Sequence, residues 1–144
     1  MAVPLIALVA ATLFAGMALY ITLVEHPARS HLSDAARLAH WQPSYKAALP
    51  IQSGLAVLGG ALGLAAWFQT QDWLWVAGSV TLLANWPFTL LGIMPTNKRL
   101  MGMDPVDADA DSSLLLRRWG SLHAVRSVLG GLSAVLFAGG LLRL

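Results

Sequence analysis

Five polar groups interrupt a long apolar sequence, and their residue types can do chemistry. Glu25-His26 follows the first apolar run, and Tyr45-Lys46 opens the second. Asn85 and Thr89 lie one helical turn apart in the third run, around Pro87, and Thr96-Asn97 closes it. Trp119, His123 and Arg126 recur at i, i+4 and i+7, which puts them on one face of a helix. Two chemistries suit these types. Histidine titrates near neutral pH, so His26 or His123 can take a proton, with Glu25 orienting the ring. Arg126 or Lys46 would then hold the negative charge that develops. Alternatively, His26 and His123 with Glu25 can ligate a transition metal such as iron or copper. Neither HxH nor HExxH spacing occurs, so a metal site would depend on the fold bringing separate helices together. The cofactor stays open between none and a bound transition metal. Tyr45, Asn85, Asn97 and Trp119 are the candidate substrate-binding residues.

Each of these residues also has a plainer use. A charged stop such as Glu25-His26 after an apolar run is ordinary, and Arg126 can snorkel to the headgroups. Asn85 can serve only to hold two helices together, and Pro87 to kink one. Against this, a histidine and an arginine on one face at membrane depth favour the bundle interior, because polar groups facing lipid are costly.

The elements that must position these groups are membrane helices. The chain of 144 residues is 57% apolar and only 11% charged, with a mean hydropathy of +0.65. Soluble domains are about 45–50% apolar and about 25% charged, and a small one cannot bury so much apolar surface. One domain of four spans is expected, at about 3–24, 47–68, 73–96 and 120–142. A cleaved signal peptide is the competing reading of the first run. It lacks a basic leading segment, and the apolar stretch is too long. The fourth run, Ser127–Leu142, is uncharged for only 16 residues. It covers roughly 24 Å, so the helix must start near Trp119–His123 and draw His123 and Arg126 to the membrane boundary.

Spans two and three are joined by Gln69–Asp72, whereas Glu25–Lys46 and Lys98–Arg118 are long connections. An up-down-up-down bundle puts both long connections at one end. Eight of the nine Lys and Arg residues lie at that end and only Arg143 at the other, which predicts cytoplasmic loops and external termini. The same distribution explains a pI near 9.5 without nucleic acid. No cysteine is present, which excludes disulfides, thiolate metal sites and cysteine nucleophiles. Gly59 and Gly63, Gly130-Gly131 and Gly139-Gly140 thin the helices for close packing. Trp67, Trp73 and Trp75 are expected at the outer interface, and Trp41 and Trp119 at the inner one. Asp104, Asp107, Asp109 and Asp111 lack the glycine and glutamate of a calcium loop and read as a solvated connection. A faint two-fold echo runs through the chain. Pro27 and Arg29 end span one as Pro95, Lys98 and Arg99 end span three, and Trp41 and Trp119 each open the next helix.

The segments Leu23–Arg29, Trp41–Lys46, Asn85–Leu90, Met94–Asn97 and Trp119–Arg126, in this order, resemble the anthrone oxygenase family of four-helix membrane proteins. The resemblance implies oxygenation of an anthrone-type polyketide to an anthraquinone, without a conventional cofactor. It assigns His26 or His123 as base, Glu25 as orienting carboxylate and Arg126 or Lys46 as anion stabiliser. The expected partners are membrane lipid and a hydrophobic small molecule, with homo-oligomerisation left open. The alternative is a non-catalytic membrane module, a ligand binder or a subunit of a larger complex.

Overall fold

The computed structural model describes residues 1–144, and all its regular structure is helical. Four helices are each long and apolar enough to cross a membrane: α1 Ala2–Arg29, α2 Asp34–Thr70, α3 Trp73–Met101 and α4 Ala110–Leu141. The chain is thus an integral membrane protein built as a four-helix bundle. In hydrocarbon every backbone N–H must be paired within the chain, and helices do this locally.

Helix ends are set by short polar side chains. Ser33 caps α2 through Ala36 N–H, Asp72 caps α3 through Leu74 N–H, and Asp109 forms a capping box with Ser112 at α4. Gln71 turns the chain between α2 and α3 with a left-handed backbone, φ 57°. Asp104 caps a short 3-10 turn, Pro105–Asp107, in the acidic connection. The long connections expected from the sequence are mostly helix, because these caps lie well outside the uncharged runs. Non-helical chain at that end is confined to the neighbourhoods of Ser30–Ser33 and Gly102–Asp109. Gln42 Nε2 donates to the carbonyls of Leu100 (3.0 Å) and Met103 (2.8 Å), tying α2 to the end of α3.

The helices form a square in which α1 packs on α2 and α4, and α3 packs on α2 and α4. Small residues make this approach possible. A Cβ on Gly63 would collide with Ser79 Oγ of α3 and the Phe137 ring of α4. Ser133 Oγ of α4 donates to the Gly78 carbonyl at 2.8 Å, a bond that needs backbones close together.

Two apolar cores result. One lies toward the short turn and contains Ala7, Phe14, Ala66, Trp75, Leu82 and Phe137. The other lies toward the long connections and contains Leu38, Trp41, Ile93, Leu100, Leu116 and Trp119. Three of the five tryptophans expected at interfaces are therefore core: Trp41, Trp75 and Trp119 are buried, and Trp73 is exposed. Trp73 and Trp75 are two residues apart, about 200° around a helix, so one faces out when the other faces in.

Each odd-numbered helix carries one wide, π-type turn. In α1 it is Ile21–Glu25, closed by His26 N–H to the Ile21 carbonyl, and in α3 it is Thr89–Ile93, closed by Met94 N–H to the Thr89 carbonyl. Each turn ends two residues before a proline, Pro27 or Pro95. Proline has no N–H and crowds the carbonyl four residues back, and a widened turn accommodates both effects. The two-fold echo of the sequence is thus a repeated backbone feature, and both copies border the polar interior.

Candidate active site

Between the two cores lies a layer of buried polar side chains. On α2 it is Gln52, on α3 Asn85, Thr89 and Asn97, and on α4 His123, Arg126 and Ser127. The layer borders a small cavity of about 30 Å³, the room of roughly one water molecule. All four helices line it: Glu25 and Arg29 from α1, Trp41, Ser44, Tyr45 and Gln52 from α2, Asn97 from α3, and Trp119, His123 and Arg126 from α4. Six of the nine residues given a catalytic or substrate-binding role from the sequence thus converge: Glu25, Tyr45, Asn97, Trp119, His123 and Arg126.

His123 is held on two sides. Its ring stacks on Trp119, with centroids 4.9 Å apart, and its Nδ1 lies 3.1 Å from Thr22 Oγ1. Thr22 Oγ1 is in turn 2.8 Å from Ser127 Oγ, one turn further along α4. Nε2 makes no hydrogen bond within the chain. The ring can therefore give its Nδ1 proton to Thr22 and present an Nε2 lone pair, the arrangement a base needs.

Two buried arginines differ in their partners. Arg29 forms an ion pair with Glu25 and donates from Nε to His40 Nδ1 at 2.9 Å. Arg126 is 7% exposed and has no carboxylate partner. Its guanidinium lies 5.5 Å from the centroid of the Phe14 ring, and its Nε has no partner in the protein. A buried cation without an anion is costly, which makes Arg126 a candidate functional group. Tyr45 stacks flat on Trp41, 4.9 Å between centroids and 6° between planes, and its hydroxyl accepts from Asn97 Nδ2 at 3.2 Å.

Three expected roles change. Lys46 is exposed and does not reach the cavity, because it follows Tyr45 directly and so points about 100° away around α2. His26 does not line the cavity either. Its ring packs on Trp119, 5.7 Å between centroids, and against Gly120, where any Cβ would collide with it. Glu25 does not orient a histidine; it accepts from Arg29 and from Ser44 Oγ at 2.7 Å, and Thr22 takes the orienting place. His26 lies outside the cavity that His123 lines. No three His, Asp or Glu side chains gather as a ligand set anywhere in the chain.

Asn85, expected beside the others, lines a neighbouring cavity that shares Arg126 and Leu49 with the first. Thr22, Arg29, Ser44, Gln52 and Ser127 had no functional role assigned from the sequence. Gln52 carried a usable signal, a lone amide within an uncharged span, as did the Glu25/Arg29 spacing of four. The exposed Trp73 and the polar turn Gln69–Asp72 lie at the other end of the bundle, where an interfacial tryptophan belongs. From that end Arg126 lies about 23 Å and His123 about 27 Å along α4, within a hydrocarbon core of about 30 Å.

No curated protein matches the chain, and no solved structure does. A family model described as anthrone oxygenase matches residues 41–136, two thirds of the sequence. The match takes in Tyr45, Asn97, Trp119, His123 and Arg126, and leaves α1 with Glu25 and His26 outside it. With the model matched over all of the cavity except the face that α1 supplies, the chain belongs to the anthrone oxygenase family.

Proposed function

We propose that the protein is a membrane-embedded oxygenase that converts the activated methylene of a hydrophobic, anthrone-type aromatic to a carbonyl. The observation that carries this reading is the meeting of His123 and the unpaired, buried Arg126 at one small cavity deep in the bundle. His123 Nε2 takes a methylene proton. The resulting enolate oxygen carries the negative charge, and Arg126 receives it. The electron-rich anion passes one electron to dioxygen, and the two radicals join in a C–O bond to give a peroxide. Loss of water from the peroxide leaves the carbonyl. The methylene carbon loses four electrons and dioxygen gains four, one oxygen atom ending in the quinone and the other in water. Tyr45 and Asn97 flank the same cavity and offer a hydroxyl and an amide to the oxygen atoms in transit.

The long-connection end, where eight of nine basic residues lie, faces the cytoplasm in this proposal, with both termini outside. The test is dioxygen uptake by membranes carrying the protein, offered emodin anthrone, above the rate in membranes without it. Uptake that disappears in His123→Ala supports the reading. Absent uptake, or equal uptake in the variant, overturns it and leaves a non-catalytic membrane module as the better account.

A further inference from the structure

The cavity at His123 is too small for an aromatic substrate, but the one beside it is not. A space of about 150 Å³ lies between α2 and α3, with Arg126 as part of the wall common to both. That volume admits about one benzene-sized ring. Three buried polar atoms on side chains of its wall have no partner in the protein: Asn85 Oδ1, Thr89 Oγ1 and Arg126 Nε. Asn85 is 2% exposed, and its Nδ2 donates to the Leu82 carbonyl at 2.9 Å, so the amide is oriented and its oxygen is the atom on offer. Unpartnered polar atoms are rare inside proteins and costlier in a bilayer, so three around one cavity point to a ligand.

The chemistry of the three is specific. Asn85 Oδ1 accepts a hydrogen bond, Thr89 gives or accepts one, and Arg126 offers a cationic donor. The remaining wall is largely apolar, and Trp86 and Leu90 stand at its outer side, exposed from the bundle. Asn85 lies about 18 Å along α3 from the short turn, so this outer side faces acyl chains and not water.

We infer that the α2–α3 cavity is a second ligand site, loaded sideways from the lipid, that takes one ring of a phenol-bearing lipophilic aromatic. The ring's hydroxyl donates to Asn85 Oδ1 or Thr89 Oγ1, and an acidic oxygen faces Arg126. As an account of the substrate this rests on the oxygenase reading above: the aromatic body sits between α2 and α3 and its reacting edge reaches past Arg126 toward His123. The small cavity is left for dioxygen or water.

Binding tests it separately from turnover. Protein in phosphatidylcholine nanodiscs is titrated with 1,8-dihydroxyanthraquinone, anthraquinone and oleate, each read as tryptophan quenching or displacement against protein-free discs. The dihydroxy compound is expected to bind at least about tenfold tighter than anthraquinone, and Asn85→Leu or Thr89→Val to erase that preference. Thr89→Val keeps the side-chain shape and decides the matter if Asn85→Leu does not fold. Equal binding of the two quinones, a preference kept in the folded variants, or displacement by equimolar oleate overturns the site. Hydroxyl-dependent binding without anthrone-dependent oxygen uptake overturns the oxygenase reading and keeps the site. Uptake without any hydroxyl preference does the reverse.

Discussion

Arg126 of α4 lays its guanidinium over the Phe14 ring of α1, 5.5 Å from the centroid, with no carboxylate to neutralise it. The aromatic face stabilises the cation only in part, by about 2 kcal/mol when desolvated. On the proposed reaction the rest of the burial cost is stability given up for function. Arg126→Met should therefore lose anthrone-dependent oxygen uptake while gaining about 1 kcal/mol or more of stability. Thermal unfolding in detergent beside the uptake assay measures both. A less stable Arg126→Met would mean that Arg126 is structural.

The two histidines should separate cleanly. His123→Ala removes the proposed base at the cavity and is expected to lower uptake at least about 100-fold. His26→Phe keeps a ring against Trp119 and Gly120 and should stay within about threefold of the parent. Rates for both variants at matched expression give the comparison, and the opposite ranking would move the base to His26.

In the proposed reaction Thr22 acts through His123 and not on substrate, so Thr22→Val should lower kcat about 10- to 100-fold with little change in KM. Thr22→Ser, which keeps the hydroxyl, should restore most of it. Loss of activity in both variants would show that the methyl packing, not the hydrogen bond, matters at this position.

Close packing between α2, α3 and α4 predicts a steep cost at Gly63. Gly63→Ala places a methyl group against Ser79 Oγ and Phe137 and should destabilise the bundle by about 1–3 kcal/mol. Gly16→Ala, on open surface, should be close to neutral, and unfolding midpoints of the two variants decide it.

The absence of native cysteine makes topology simple to measure. Single cysteines at Gln71 and at Asp107 should label with an impermeant maleimide from opposite sides, Gln71→Cys from outside in intact cells and Asp107→Cys only after permeabilisation. Labelling in the reverse order would invert the proposed orientation.

The sequence by itself determined the membrane class and the four helices, because apolar runs and their polar breaks report directly on burial in lipid. It also determined that Trp119, His123 and Arg126 share a face, since spacing along one helix is a local property. The two prolines that pair with wide turns were visible as a repeat, although the turns themselves were not. What lay across helices was decided only by the tertiary structure. Trp75 became core and Trp73 did not, because which face of α3 meets α4 is set by packing. Lys46 and His26 fell outside the cavity and Thr22, Gln52 and Ser127 fell within its layer, because helix rotation, not residue type, selects what points inward. The unpaired state of Arg126, on which the functional reading turns, is a relation among three helices, and no single stretch of chain records it.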